Sequence, residues 1–410
     1  MKTHIEQVEI ALADLKQGKM IILTDDPDRE NEGDIIFPAE MITPEIINFM
    51  IRHCSGIICL PLLTTQLEKL GVKLMVPSYE NTSPKGTPFT VSIEAKHGVT
   101  TGVSAADRAQ TVLTAIADNT TASDIVKPGH IFPLLARDNG VLERAGHTEG
   151  AIDLARLAGF KPAAVLCEVM NPDGTMARGD KLEEFAKEHQ IHMLTIEDLI
   201  IYRLSKENLI DEEVSALLPL DQYGQFQISV VREKVSGKEH LVLTKTQTNP
   251  NHPILVRVHS ACITGDLFGS KRCDCNNQLH YALKKMSEEG GMLIYLNQEG
   301  RGIGLFNKIK AYSLQEKHFD TVEANQELGL PVDSRNYSIA ANILRNRNIS
   351  HIRLLTNNPD KINDMKKYGI KTVDKEAMPT FHNEHNYQYL KTKKEKLNHH
   401  ISLEGKIDHE

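Results

Sequence analysis

Short apolar runs alternate with helical stretches through the whole chain, and this alternation constrains the fold more than any other feature of the sequence. In the first half KMIILT (19–24), DIIF (34–37) and AAVLCEVM (163–170) read as buried strands. Between them TPEIINFMIRHC (43–54) has helical spacing, with Thr43 and Pro44 as a start signal, and TEGAIDLARLAGF (148–160) reads as an amphipathic helix stopped at Gly159. The second half restarts with the strands QFQISVV, EHLVLT and PILVRVHS, then helical NQLHYALKKMSEE (277–289), the stop Gly290-Gly291 and the strand MLIYL. Strands alternating with helices predict the α/β (α+β) class. At roughly 100–200 residues per domain, a chain of 410 residues predicts two mixed α/β domains in tandem. The pattern breaks once, around 200–218, where YRLSKENLIDEEVSALLPL reads as a charged helical stretch ending at Pro219. The expected domains are 1–203 and 208–400, with 401–410 as a polar tail. The basic segment YLKTKKEKLNHH before that tail reads as solvated.

Composition narrows the function class. Hydrophobic residues make up 40% of the chain and charged residues 25%, as in ordinary globular proteins. No run approaches the roughly 20 apolar residues that span a bilayer. MKTHIEQVEIALADLKQGK lacks the apolar core of a signal peptide, so a cytoplasmic enzyme is expected, with no membrane partner. The net charge of −8 argues against nucleic acid as a partner, yet allows small anionic substrates held in a local positive pocket. Of six cysteines, Cys262, Cys273 and Cys275 are clustered, which in a reducing compartment points to metal rather than disulfides.

The segment DDPDRENEGD (25–34) places Asp26, Asp28, Glu30, Glu32 and Asp34 at every second position between two strands. These carboxylates repel one another unless water or a cation intervenes. The loop is therefore either a solvated charged turn or a site for a hard ion such as Mg²⁺. Arg144, Gly146, His147 and Thr148 precede a helix, whose free N–H groups and the arginine suit an anion. His147 is a cap, a metal ligand or a base, and His130, in the turn KPGHIFP, is by default polar surface. Glu168 differs, because a carboxylate inside an apolar strand is costly without a task or a partner. Cys59, in GIICLPL, reads as core.

DDPDRENEGD, TTGVSAADRAQT (100–111), PGHIFPLLA (128–136), RAGHTEGAIDLARLAGF and VLCEVMN (165–171) together resemble 3,4-dihydroxy-2-butanone-4-phosphate synthase over nearly all of 1–203. The resemblance implies conversion of ribulose 5-phosphate to that four-carbon phosphate plus formate, with Mg²⁺ or Mn²⁺. It implies that Glu30 and His147 hold the metal and that Arg29, Glu30, Asp34, Arg144, Ala145, Gly146, His147, Thr148 and Glu168 meet the substrate. His130 and Glu168 are implied as the catalytic residues. This agrees with a metal polarising oxygens while a carboxylate and an imidazole move protons.

In RVHSACITGDLFGSKRCDC two cysteines one residue apart and a third eleven upstream suit Zn²⁺. No fourth cysteine is available, although His259 lies close by, and three ligands leave a position for a water acidified to about 7. Reduced core cysteines are the alternative from spacing alone. Downstream, Arg301 in the GRGIG loop, Arg335 two residues after Asp333, and Lys361 after Thr356 are candidate triphosphate clamps, each equally readable as surface charge when taken singly. Together these pieces resemble GTP cyclohydrolase II over about 208–400. The resemblance implies hydrolytic opening of GTP with release of formate and pyrophosphate, and zinc on Cys262, Cys273 and Cys275. It implies GTP contacts from Arg257, Val258, His259, Ser260, Ala261, Gln278, Glu299, Gly300, Arg301, Thr321, Thr356 and Lys361. Tyr312 would assist the transition state, Asp333 would be the general base and Arg335 the nucleophile for the α-phosphate. That last role does not follow from chemistry alone, since arginine stays protonated.

Ala261, Asn276-Asn277, Asn297, Asn336 and KEAMP (375–379) depart from the second family's usual residues, while the zinc ligands and the Asp333–Arg335 pair survive. The leading expectation is an enzyme of riboflavin biosynthesis carrying both activities, and the two families imply a homodimer with sites built from two chains. A second reading keeps only the first activity, with a zinc-bound structural or dimerising partner behind it. A third makes the cysteines part of a zinc-stabilised nucleic-acid module, against which the acidic composition counts.

Overall fold

The computed structural model describes residues 3–317, 319–331, 333–396 and 400–401; the side chains of 212 and 213 and, in the expected polar tail, residues 402–410 lie outside the described residues. The chain divides into two compact units, Met1–Arg203 and Leu204–Glu410.

The first unit is built on a seven-stranded mixed sheet. Its strands are β1 (Ile21–Thr24), β2 (Gly33–Pro38), β3 (Cys59–Leu62), β4 (Ile93–Ala95), β5 (Ile125–Leu135), β6 (Ala164–Glu168) and β7 (His192–Thr195), in the order β4-β5-β3-β6-β2-β1-β7. Side chains alternate across a strand, so Ile22 and Ile35 join one core with Phe37, Met50 and Leu60, while Ile21, Leu23 and Ile36 join the other with Val8, Leu15 and Leu154. Both faces are covered, which is why β2 is buried at every residue. Each such side chain contributes about 1.5–3 kcal/mol on burial. Antiparallel pairing of β2 with β6 sets Asp34 directly opposite Glu168.

Two helices differ from the expected form. Pro44–Phe49, capped by Thr43, continues as a π-helical turn, Met50–Cys54, ended by the left-handed Ser55. His147–Leu157 has the expected apolar stripe, but most of its polar face is covered as well, every residue from His147 to Ala155 being buried. Its acidic residues are paired inside, Glu149 with Arg144 at 2.7 Å and Asp153 with Arg203 at 2.8 Å.

The second unit has the strands β8 (Ile210–Leu220), β9 (Gly224–Glu233), β10 (Glu239–Lys245), β11 (Ile254–Ser260), β12 (Gly291–Leu296), β13 (His351–Leu355) and β14 (Thr372–Glu376), in the order β14-β13-β11-β12-β10-β9-β8. The expected helical stretch to Pro219 is incorrect. The helix Ile196–Lys206 ends well before Pro219, Asn208 Oδ1 accepts from the Ile210 N–H at 3.1 Å, and the chain continues as β8. Pro219 cannot donate to a ladder, and β8 lies at the sheet edge, where that costs nothing. Also corrected is the solvated basic segment. Tyr387–Lys396 is a helix with Leu390 and Thr392 buried, and Lys393 reaches Asp274 at 3.3 Å. Among the described residues no helix is long and apolar enough to cross a membrane.

Candidate functional site

In the first unit the acidic loop folds around Asp25, a residue outside the alternating series read from the sequence. Its carboxylate accepts from the N–H groups of Glu30 and Glu32, both at 2.9 Å, and from Arg29 at 2.9 Å. Asp26 and Asp28 stay exposed. The turn presents Glu30 to His147, with Oε2 3.5 Å from Nδ1, and Asp34 lies 4.0 Å from the same nitrogen. Arg29 also binds Glu30 at 2.7 Å.

The bond to His147, aided by Arg29 and against the effect of burial, lowers Glu30 to about 2. Burial works to lower His147, but Asp34, Glu30 and Asp25 raise it to about 9. Burial raises Asp34 to about 7 and holds Glu168 above the usual carboxylate range. Ligand atoms of Asp25, Glu30 and His147 lie within 4.8 Å of one another, and His147 Nε2 is buried with no partner among the described residues. A hard carboxylate pair with an uncommitted imidazole nitrogen suits a divalent cation.

Glu168 accepts from the Ile57 N–H at 2.8 Å, and Gly56 lets that segment pass over it, since a Cβ there would lie 2.6 Å from Oε2. Arg144 binds Glu149 and the Lys85 carbonyl beside the start of the buried helix, where Gly146 and Thr148 are buried and Ala145 is exposed. Among the described residues His130 bonds to Glu94 and not to the carboxylate cluster, its Nδ1 lying 2.6 Å from Oε2 of Glu94. Glu94 is buried and also accepts from Thr111 at 2.8 Å, an arrangement absent from the sequence reading. Glu94 orients the imidazole, so Glu94→Gln is expected to slow ribulose 5-phosphate turnover about 10–100-fold, the usual cost of losing such a partner. Steady-state rates together with metal content check this; an unchanged rate would remove Glu94 from the site.

In the second unit the three cysteine sulfurs lie within 4.8 Å of one another, Cys262 and Cys273 3.7 Å apart. The other two thiols and Lys308 hold the Cys262 thiol well below its usual range, while Cys273 is raised to about 11. Lys308, unread from the sequence, donates to Cys262 Sγ at 3.1 Å and to Glu299 at 2.8 Å, and Glu299 accepts from the Ile263 N–H at 2.6 Å. Gly265 closes the cradle: a Cβ there would lie 2.8 Å from Cys273 Sγ and 3.0 Å from Cys262 Sγ. Three soft sulfurs in a closed cradle fit zinc. His259 does not join them. Its Nε2 faces Asp266 at 3.1 Å and its ring stacks on Tyr295. Gly265→Ala is expected to weaken zinc retention about 10–100-fold, the scale of a disturbed outer shell, read by chelator competition; undiminished retention would show that the sulfurs can move aside.

Around the cysteines a pocket is lined by Arg257, His259, Ser260, Ala261, Gln278, Glu299, Gly300, Arg301, Tyr312, Thr321, Arg335, Thr356 and Lys361, among others. Val258 differs from the expectation, with its side chain in the core and its carbonyl accepting from Lys361 at 2.8 Å. Asp333 backs Arg335 through Nε at 2.9 and 3.1 Å. Burial tends to raise Asp333, but those bonds leave it below the usual range. Burial, with Arg257, Arg335 and Lys393 nearby, pushes Lys361 well down. The departing residues have structural partners: Asn336 Oδ1 caps the Ser338 N–H at 2.7 Å, Asn276 reaches the Asp266 carbonyl at 3.2 Å, and Met378 is held by Asn357.

Residues 9–202 match the model for 3,4-dihydroxy-2-butanone 4-phosphate synthase and residues 211–377 that for GTP cyclohydrolase II. The riboflavin biosynthesis protein RibBA of Aquifex aeolicus is 53% identical over 396 residues, covering 96% of this chain and 97% of its own. That of Cytophaga hutchinsonii is 48% identical, covering 97% and 98%. The chain belongs to the RibBA family. It is a bifunctional enzyme of riboflavin biosynthesis, a lyase domain followed by a hydrolase domain. Among solved structures, RibBX of A. baumannii, described as a two-domain 3,4-dihydroxy-2-butanone 4-phosphate synthase, matches with a TM-score of 0.66 at 34% identity, covering 91% of this chain and 99% of that one.

Proposed function

We propose that residues 1–203 convert ribulose 5-phosphate to 3,4-dihydroxy-2-butanone 4-phosphate and formate at the Glu30–His147 cluster, and that residues 208–400 open GTP at the cysteine pocket. The observation that carries the reading is that each unit has its own chemically distinct ligand set, one of carboxylates with imidazole and one of thiolates.

In the first site Mg²⁺ or Mn²⁺, held by Glu30 and His147, supplies Lewis-acid polarisation of sugar oxygens. The chain's own residues do the rest. Arg29, Arg144 and the N–H groups opening the His147–Leu157 helix bind the anionic sugar phosphate. Asp34, near 7, and Glu168, raised by burial, are placed to exchange protons with the sugar hydroxyls and with the carbon next to the carbonyl at neutral pH. His130, oriented by Glu94, takes the second proton-transfer role.

In the second site zinc on Cys262, Cys273 and Cys275 supplies the Lewis acid for hydrolysis of the ring. Arg257, Arg301, Arg335 and Lys361 bind the triphosphate. Asp333 holds Arg335 in place; bound as it is, it is a weak base, and its support here is for positioning. Tyr312, 3.3 Å from Thr264 and beneath Arg272, faces the sulfur cradle. The enzyme works in the cytosol on small molecules and not nucleic acid, which the net charge of −8 supports. A homodimer is supported by the outward-facing Leu267, Phe268 and Phe306, each more than 70% exposed.

Formate assayed separately from ribulose 5-phosphate and from GTP tests both halves. The second reading, a structural C-terminal partner, draws on the description of RibBX as a synthase of two domains. It predicts zinc-loaded protein inert towards GTP, even after Ala261→Glu and Asn336→Asp.

A further inference from the structure

The pocket of the second unit is short of negative charge. Seven Lys and Arg side chains line it, against two carboxylates, Asp274 and Glu299; Arg335 is answered by Asp333, Arg272 by Glu316 and Lys308 by Glu299 and Cys262, whereas among the described residues Arg301 and Lys393 have no close anionic partner of that kind. Glu299 is already committed to Lys308 and the Ile263 N–H. Asp274 accepts from Gln278 at 2.6 Å. Such a surplus stays stable only when an anion or water answers it.

One of the cations comes from the helix Tyr387–Lys396, which lies beyond the residues matched by the family model, 211–377. Tyr389 and Lys393 of this helix both line the pocket. The Lys393 side chain is only 12% exposed. Its single hydrogen-bond partner among the described residues is Asp274, at a long 3.3 Å, leaving two N–H donors uncommitted. Its ammonium lies 4.4 Å from the centroid of the Tyr389 ring, and the Arg301 guanidinium lies 5.7 Å from the same centroid. Arg301 has both terminal nitrogens buried with no partner among the described residues, and its backbone sits in the left-handed region at φ +60°. A non-glycine residue held there is strained unless its surroundings require it. Two cations with unused donors therefore share one tyrosine, and both border the same pocket.

We infer that the helix Tyr387–Lys396 is part of the nucleotide site, with Lys393 binding the polyphosphate of the substrate and Tyr389 holding Arg301 and Lys393 in position for it. The inference rests on the proposed GTP reading of the pocket. Tyr389 offers its ring face to both cations, which orients them without neutralising either. Lys393 adds a charge-assisted bond to the phosphates at the cost of a weak one to Asp274.

The test uses the full-length, zinc-loaded protein with GTP, inorganic tripolyphosphate and guanosine as ligands. Lys393→Met is expected to raise the dissociation constants of GTP and tripolyphosphate about tenfold to a hundredfold, the loss of one charged hydrogen bond. Guanosine should bind as before. Lys393→Arg should recover most of the affinity, and Tyr389→Leu should show the same ligand pattern as Lys393→Met. Zinc content and the thermal melting curve establish that each variant is folded. A purely structural role for Lys393 would weaken guanosine and GTP alike, and that outcome overturns the inference. So does a Lys393→Met protein that binds GTP and tripolyphosphate like the wild type. Wild-type protein that neither binds nor opens GTP would instead refute the reading of the pocket itself.

Discussion

Glu30→Ala or His147→Ala is expected to abolish formate release from ribulose 5-phosphate, by about three orders of magnitude or more, and to leave GTP opening intact. Either change removes one of three ligand atoms grouped within 4.8 Å. A catalytic cation supplies several kcal/mol of charge stabilisation, and about 1.4 kcal/mol is a factor of ten. The substitutions also act on their neighbours. Without His147, Asp34 loses the cation that holds its pKa down against burial and against Glu168, Glu30 and Glu32. It then stays protonated further into the working pH range and cannot serve as an acceptor. Formate from each substrate, measured on variants whose melting curves match the wild type, checks the result. Simultaneous loss of both activities in folded protein would count against two separate sites.

The second large effect is expected at Cys273. Zinc should be bound at about one per chain, and Cys273→Ser should remove most of it together with GTP opening, again by about a thousandfold. Serine keeps the size of cysteine but offers a hard, protonated oxygen in place of a soft thiolate. Lys308 would remain opposite Cys262 and the cradle around Gly265 would remain shaped for sulfur, so the loss should be chemical rather than a collapse of the fold. Metal analysis and GTP turnover on the same sample decide it. Chelation followed by Mg²⁺ alone should restore the ribulose 5-phosphate reaction and not the GTP reaction, because oxygen ligands serve the first site and sulfur the second. Full GTP turnover recovered without zinc would overturn the metal assignment.

Much of both sites was legible in the order of residues. Cys262, Cys273 and Cys275 are close in sequence, and a soft-ligand set needs little beyond a turn to close. Glu30, inside a charged loop, and His147, at a helix start, were open to several readings from position alone, and only the family resemblance singled them out as a ligand pair. Local reading failed where a short-range pattern was ambiguous. The 210–220 segment carries charges and leucines that suit a helix, and only its place at the edge beside β9 makes it a strand. In YLKTKKEKLNHH the lysines hide one face, so the burial of Leu390 and Thr392 went unseen.

The order of residues settles the chemistry on offer: an acidic loop between buried strands, a histidine at a helix start, three cysteines at metal spacing, and most of the elements that carry them. Those follow from side-chain type and from periods of two and about 3.6 residues, which are local. Only the tertiary structure decided the partners that orient these groups. Glu94 meets His130 across 36 residues, Lys308 meets Cys262 across 46, and Lys393 meets Asp274 across 119. Such pairs have no spacing rule, because strand register and helix packing bring them together. Asp34 faces Glu168 only because β2 pairs antiparallel with β6 in that register, and a shift of one residue would turn both carboxylates to other neighbours.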